Sequence, residues 1–261
     1  MENSNIDILE FYVGAGVDET YNDVPFNFLS LKNNGGIVEN KPIQKVFEEN
    51  FKVENNLISI SQIHKMAMDI CANVASFDEL ENKIKEFDYC PLKVKSSSTI
   101  IGVGNKVNPD LVVLTEIPNA EEDKSGIAFS GDTGELLNKI LGAIGLSFQT
   151  NVFAMPVMFY RPAGGRMPTA EEMDTVKPFV FKAVEFLKPK VILTMGGLPS
   201  SLILNVSDTI VSLRGKWADY NGVPVMPTFS LQYILNAGRQ GLKEVRLKAW
   251  EDVQEVQKRL S

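Results

Sequence analysis

From about residue 98 onward, short apolar runs of β-type residues alternate with longer stretches of helical spacing. Strands that alternate with helices favour a mostly parallel sheet with helices on both faces. We therefore predict a three-layer α/β/α fold around a mostly parallel sheet of four to five strands. The strand candidates are 99–103, 111–115, 152–157, 191–194 and 223–226, and the helix candidates are about 133–144, 170–187, 198–204 and 243–259.

The N-terminal segment differs in composition from the rest of the chain. Residues 1–57 are rich in Asn, Glu, Asp and Gly, and residues 33–36 read Asn-Asn-Gly-Gly, a strong loop signal. We predict that 1–57 form an acidic, partly irregular arm and that one domain covers 58–261. Capping serines predict that this domain opens with two leading helices over 59–87.

The net charge of −7 is spread unevenly along the chain. Residues 1–75 contain 11 acidic side chains against 5 basic ones, whereas the remainder has 22 against 21. The total charge argues mildly against a nucleic-acid partner, but the near-neutral remainder leaves room for a local basic groove. The acidic arm could cover such a groove or be a solvated extension, and composition favours the extension.

Rare residue types exclude several classes of site. The two cysteines, Cys71 and Cys90, cannot form a disulfide framework or an all-cysteine metal site. The single histidine, His64, excludes a His-rich metal site and disfavours a Ser-His-Asp triad. With no apolar run of membrane-spanning length and no visible secretory signal, we expect no membrane partner and a cytoplasmic location. The oligomeric state stays open.

Ligands of parallel sheets bind at the carboxyl ends of the strands, so the loops there are where function is expected. Glu116 follows the strand candidate 111–115, where a carboxylate can orient water or stabilise a cationic transition state. An ordinary loop acid that caps a backbone amide is the alternative. Phe129 could present an aromatic platform to a planar ligand or simply fill the core.

Later loops could bind phosphate. Two arginines occur in a Pro/Gly-rich loop, and glycines precede a helix start, where backbone N–H groups can bind an anion. A solvated loop and a tight strand-to-helix turn are the respective alternatives. The candidate phosphate contacts are Arg161, Arg166, Gly196, Ser200, Ser201 and Arg214.

Six motifs occur in one order between about residues 80 and 256. They are Phe-Asp-Tyr-Cys-Pro-Leu at 87–92, Thr-Glu-Ile-Pro-Asn at 115–119, Gly-Ile-Ala-Phe-Ser-Gly at 126–131, the Arg-Pro-rich loop at 160–169, Leu-Arg-Gly at 213–215 and Thr-Phe-Ser-Leu at 228–231. A closing Ala-Trp-Glu-Asp follows at 249–252. In this order and spacing the chain resembles the uracil-DNA glycosylases of family 4, the thermophile type. The resemblance implies a uracil-DNA glycosylase-like fold.

The resemblance also implies a chemistry. Enzymes of this family extrude the nucleotide, stack the base on an aromatic ring, read its edge with an amide, and hydrogen-bond the departing uracil anion. The resemblance implies that Glu116 lies beside the water and the sugar, and that Phe129 and Pro118 lie against the base. The family's base-reading asparagine falls at Pro156 and its motif histidine at Ser230, a weaker and never cationic donor.

Four cysteines hold an iron–sulfur cluster in family 4. The matching positions here are Phe87, Cys90, Tyr160 and Val176, so one thiol remains. Since a cluster needs several cysteine ligands, we predict that no cluster, metal or other cofactor is bound and that side-chain packing takes its place.

Three functions compete at this point. The departures favour a glycosylase-like module with a degenerate active site that binds DNA or a protein partner with little or no glycosylase activity. The alternative is an active, diverged glycosylase that removes uracil or another damaged base through Glu116. A weaker third is a nucleotide or small-molecule binder that uses Gly196–Ser201 and Phe129. Trp217 and Trp250 are interpreted as structural.

Overall fold

The computed structural model describes residues 58–261. The predicted arm, 1–57, lies outside the described residues, and so the division into arm and domain stays a prediction. Within 58–261, no helix has both the length and the apolar character needed to cross a bilayer.

A six-stranded sheet in the order β1-β3-β2-β4-β6-β5 forms the centre of the described domain. The strands are β1 (Val103–Gly104), β2 (Leu111–Thr115), β3 (Val152–Pro156), β4 (Val191–Met195), β5 (Ala218–Tyr220) and β6 (Val223–Thr228). The four central strands are parallel, and the two edge strands pair antiparallel to their neighbours.

Nine α-helices surround this sheet within residues 58–261. They are α1 (Ile60–Asn73), α2 (Phe77–Glu86), α3 (Ala120–Ser125), α4 (Asp132–Ala143), α5 (Ala170–Leu187), α6 (Gly197–Leu204), α7 (Ile210–Leu213), α8 (Leu231–Arg239) and α9 (Lys243–Leu260). A short 3₁₀ helix covers Ala163–Gly165. Helices α1 and α2 lie within the range predicted for two leading helices, and Ser59 and Ser76 cap them.

Alternate residues of the central strands pack into separate cores on the two faces of the sheet. On β2, Val112 and Leu114 join a core with α1, α2 and α5. Leu111 and Val113 join a second core with α4, α8 and α9. Because successive strand side chains point to opposite faces, fully buried strands read as continuous apolar runs. The predicted three-layer α/β/α architecture is confirmed.

Several details differ from the sequence prediction, among them the short helices α3 and α7, which were not predicted. The sheet has six strands because Ala218–Tyr220 adds an antiparallel edge strand. The first strand is shorter than 99–103, since only Val103 and Gly104 pair with β3. The segment after β6, predicted as a loop, forms helix α8, which Ser230 caps with its side chain.

The register of the parallel strands brings the predicted site together. Thr115 at the end of β2 pairs with Pro156 at the end of β3, and Met195 at the end of β4 pairs with Thr228 at the end of β6. The residues that follow these four ends therefore emerge at one edge of the sheet.

Candidate functional site

Glu116 leaves the end of β2 and reaches the first turn of α6. Its Oε1 accepts a hydrogen bond of 3.1 Å from the backbone N–H of Gly197. This approach requires glycine at position 196, where φ is +120° and a Cβ would lie 2.5 Å from the Glu116 carboxyl carbon. The strand end and the helix start thus fix the carboxylate together.

Burial governs the protonation of this carboxylate. Removal from water raises the pKa of Glu116, while hydrogen bonds from the N–H groups of Leu198 and Gly197 and from the Ser230 side chain oppose that rise. The N-terminus of a helix also favours negative charge. The site therefore holds a partly desolvated carboxylate that only a few donors support.

Ser230 is the N-cap of α8 as well as the neighbour of Glu116. Its Oγ accepts from the backbone N–H of Tyr233 at 3.3 Å. Ser230 also lies close enough to Glu116 that its side chain lowers the pKa of that carboxyl, and a hydroxyl has a single proton to donate. A ligand that needs this proton would therefore compete with the neighbouring Glu116 carboxylate.

A second buried carboxylate, which the sequence prediction missed, holds Phe129 in place. Glu122 is 5% exposed, and its Oε1 and Oε2 each accept a 2.6 Å bond, from the N–H groups of Phe129 and Asn119 respectively. Phe129 adopts a left-handed φ of +57°, and its carbonyl lies so close to Gly134 that a Cβ there would clash. Burial raises the pKa of Glu122. The pattern Asn119-x-x-Glu122 is a capping box, a signal that could have identified this residue.

These side chains surround a cavity of about 290 Å³ at the carboxyl edge of the sheet. Five predicted site residues line it: Glu116, Pro118, Phe129, Arg161 and Ser230. The further polar side chains of the lining are Thr115, Asn119, Glu122, Thr133 and Gln232. The cavity can take a small planar ligand between a carboxylate and an aromatic ring.

Pro156 is not brought into this cavity. It is buried at the end of β3 and lies outside the set of lining residues. Proline has no side-chain donor or acceptor, so the side chain at this position cannot read a base edge.

The two arginines of the Pro/Gly-rich loop have different surroundings. Arg161 lines the cavity, and its Nη1 donates a 2.7 Å bond to the Pro118 carbonyl. Arg166 is exposed and does not line the cavity. It forms a bidentate ion pair with Glu172, in which Nη1 lies 2.8 Å from Oε2 and Nη2 lies 2.6 Å from Oε1. Of the two, Arg161 is the one placed beside a ligand.

The other candidate phosphate contacts are engaged within the domain. The buried Ser200 hydroxyl donates to the Gly196 carbonyl at 2.7 Å and lies 2.9 Å from the Thr194 hydroxyl. A phosphate contact would require it to leave both partners. Ser201 is half-buried in the same helix.

Arg214 belongs to a buried ion pair. Its Nε lies 3.0 Å from an oxygen of Asp252, its Nη2 also contacts that carboxylate, and Asp252 accepts from the Thr228 hydroxyl at 2.6 Å. Asp252 is 2% exposed. Arg214 therefore fastens the segment after α7 to α9, Asp252 joins α9 to the end of β6 through Thr228, and a phosphate contact of Arg214 would compete with Asp252.

The four positions that hold cysteines in family 4 meet in one apolar core. Phe87, Cys90, Tyr160 and Val176 are all buried there, and the Phe87 ring packs edge-on against Phe179 at 5.0 Å. The Tyr160 hydroxyl lies 3.2 Å from the Ile84 carbonyl and 3.4 Å from that of Phe87.

This chemistry does not fit an iron–sulfur cluster. The single thiol, Cys90, has its pKa raised by burial, whereas a cluster ligand must be a thiolate. Within 58–261, no group of three or more His, Cys, Asp or Glu side chains is placed to hold a metal ion.

Comparison with known proteins agrees with this architecture. The family model of the uracil DNA glycosylase superfamily matches residues 101–254. The chain belongs to this superfamily.

Its similarity to the type-4 enzymes confirms the resemblance read from the motifs. A type-4 uracil-DNA glycosylase of Thermotoga maritima is 30% identical over 179 residues, which are 68% of this chain and 91% of that protein. The type-4 enzyme of Archaeoglobus fulgidus is 31% identical over 54% of this chain and 72% of its own length. A DNA polymerase of Bacillus phage SP01 is 24% identical over 55% of this chain and 14% of that polymerase.

Proposed function

We propose that this protein binds DNA, receives an extruded nucleotide in the Glu116 cavity, and hydrolyses the glycosidic bond of uracil little or not at all. The observation that carries the proposal is the state of Ser230. Its hydroxyl caps α8 and shares the cavity lining with Glu116, so a short, uncharged donor that faces a carboxylate stands at the position of the leaving-group histidine.

The chemistry of base excision explains why this matters. Cleavage between uracil and deoxyribose produces a sugar cation and a uracil anion, and the anion needs a hydrogen-bond donor as it departs. Loss of one such donor typically costs about 10²–10³ in rate. Glu116 can still stabilise the cation and orient water, but the departing base has no matching donor at position 230.

Selection of uracil is weakened as well. The Asn119 amide in the lining is fully used, since it donates to the Ser130 carbonyl and the Thr133 hydroxyl and accepts from two backbone N–H groups. Strong discrimination between bases needs hydrogen-bonding groups that a wrong base would leave unpaired. We therefore expect loose selection among pyrimidines.

DNA is the partner that the comparisons favour. Type-4 relatives are named uracil-DNA glycosylases, and a further relative is named a DNA polymerase. In this chain, Phe129 offers a ring at the cavity and Arg161 a cation beside it. A protein partner in place of DNA is the competing outcome.

We further propose that the chain holds no iron–sulfur cluster. The packing of Phe87, Tyr160 and Val176 supports this, because none of these side chains is a cluster ligand. The purified protein should be colourless and free of iron by elemental analysis, and stoichiometric iron would refute the proposal. The free, buried thiols of Cys71 and Cys90 fit a reducing compartment, from which we infer a cytoplasmic location.

The second candidate is an active, diverged glycosylase. One observation favours it: the Glu116 carboxylate is retained and aimed by the Gly197 N–H at 3.1 Å. In that case excision would rely on Glu116 to stabilise the sugar cation and orient water, without a leaving-group histidine.

An excision assay separates the two candidates. Single- and double-stranded DNA with one uracil is incubated with wild type, Glu116→Gln and Ser230→His, and abasic sites are detected by alkaline cleavage. We expect little cleavage by wild type and a gain with Ser230→His. Efficient cleavage by wild type that disappears in Glu116→Gln would establish the diverged enzyme instead.

A binding assay tests the DNA partner directly. Arg161→Gln should weaken binding to labelled DNA and lower the salt slope by about 0.7–0.9, the value for one phosphate contact. Arg259→Gln is the matched control, since Arg259 packs over the Trp217 ring at 4.9 Å and does not line the cavity. No affinity for DNA at low salt would refute DNA as the partner.

A further inference from the structure

A second cavity, of about 460 Å³, adjoins the Glu116 cavity. It lies between α4, α8 and α9, and Met195 at the end of β4 lines both cavities. Its walls include Leu136, Leu247 and Trp250. We call this cavity the Trp250 groove.

Two cations border the groove. Lys243 and Arg246 both belong to its lining, and within residues 58–261 neither forms a salt bridge or a side-chain hydrogen bond. By contrast, Lys248 on the same helix is paired with Glu244 at 2.5 Å. The groove therefore combines an aromatic ring, an apolar floor and two unneutralised positive charges.

This combination matches one ligand class. Sites for single-stranded nucleic acid join aromatic rings, on which bases stack, to cations that follow the phosphates. A polar phosphate alone would not favour the apolar walls, and a purely apolar ligand would not need the cations. Leu247, 60% exposed, leaves the groove open to solvent on one side.

We propose that the Trp250 groove binds single-stranded DNA next to the nucleotide held in the Glu116 cavity, with a base against Trp250 and phosphates near Lys243 and Arg246. This inference rests on the proposed function, because the shared wall at Met195 matters only if DNA occupies the neighbouring cavity. It revises the structural role that the sequence alone favours for Trp250.

Tryptophan fluorescence offers a direct test. The chain has two tryptophans, so Trp217→Phe leaves Trp250 as the single reporter. This variant is titrated with a fluorescein-labelled 15-nucleotide oligo(dT), and both dye anisotropy and Trp250 emission are followed. We expect quenching of Trp250 that saturates together with the anisotropy. A fully abasic 15-mer has the same phosphates but no bases, and should bind roughly fivefold or more weakly and leave Trp250 unquenched.

Charge variants test the phosphate contacts. Lys243→Gln with Arg246→Gln should lower the salt slope for oligo(dT) by about 1.4, at roughly 0.7 for each contact to a single strand. The matched control is Lys258→Gln on the same helix, an exposed residue paired with Glu255 outside the groove.

The outcomes distinguish this inference from the function on which it rests. DNA binding without quenching of Trp250, or with an unchanged salt slope in the double variant, overturns the groove assignment and leaves the proposed function standing. The groove would then belong to a protein partner, such as an amphipathic helix. No DNA binding by wild type overturns both.

Discussion

Replacing Gly196 with alanine tests the geometry that brings Glu116 against the start of α6. Gly196 has φ +120° and ψ 170°, a region that is essentially confined to glycine and costs other residues about 1–3 kcal/mol. An alanine Cβ would also lie 2.5 Å from the Glu116 carboxyl carbon. The carboxylate would have to move away from the Gly197 N–H, and a hydrogen bond to a charged group contributes about 1.5–3 kcal/mol.

The two contributions together predict a loss of about 2.5–6 kcal/mol in the free energy of unfolding. Urea denaturation followed by circular dichroism measures this loss as a lower midpoint at unchanged slope. Gly197→Ala is the matched control, because a Cβ at the first position of α6 meets nothing within 4 Å and the backbone N–H is kept. It should be neutral or stabilising by up to about 1 kcal/mol.

Equal stabilities of the two alanine variants would refute this reasoning. They would mean that the Glu116 side chain does not occupy the space beside Gly196.

Three further predictions concern buried polar groups. Tyr160→Phe should lower the free energy of unfolding by about 1 kcal/mol by removing a buried donor, whereas Tyr220→Phe, which has no hydroxyl bond within 58–261, should change it by less than about 0.5 kcal/mol. Burial raises the pKa of Glu116 in the folded state above its value in the unfolded state. As the pH rises from the lower of these two pKa values to the higher, ionisation of Glu116 therefore lowers the free energy of unfolding. The free energy of unfolding of Glu116→Gln minus that of wild type should therefore increase from pH 4 to pH 7, as measured by urea denaturation. A difference that does not change with pH would contradict the raised pKa. Asp252→Asn should cost about 3 kcal/mol by leaving Arg214 without its carboxylate, measured by thermal and urea unfolding, and a change below about 1 kcal/mol would show that the pair is not structural.

Elements with strong local signals were predictable from sequence. Helix α5 matches the predicted 170–187, because Thr169 and Glu172 form a capping box at its start. Strand β2 matches 111–115, where a continuous apolar run marks burial on both faces. A capping box and an apolar run can each be recognised from a few neighbouring residues, without knowledge of the rest of the fold.

Shorter elements were missed for identifiable reasons. Strand β5 has three residues and little periodicity, yet Asn221-Gly222 between β5 and β6, both with positive φ, is a recognised hairpin signal that was overlooked. Helix α8 has buried residues at Leu231, Ile234 and Ala237, a helical spacing that the prediction of a loop passed over.

The sequence predicted which residues line the site, but not which hydrogen bonds and ion pairs they form. The strand-end rule and the motifs brought Glu116, Phe129, Arg161 and Ser230 to one cavity. Arg214 and Asp252 are 38 positions apart in the chain, and no local sequence pattern predicts their ion pair. Sequence reasoning finds candidate donors, but only the fold shows which of them are already used.

The lengths of the edge strands limit how other chains can attach. The sheet ends in β1, with two residues, and β5, with three, so each side offers few unpaired N–H and C=O groups as a template for another strand. Extension of the sheet by a second polypeptide is thereby disfavoured. Within residues 58–261, recognition of a partner is left to helix surfaces and loops, whose side chains can change in evolution without disturbing the parallel centre.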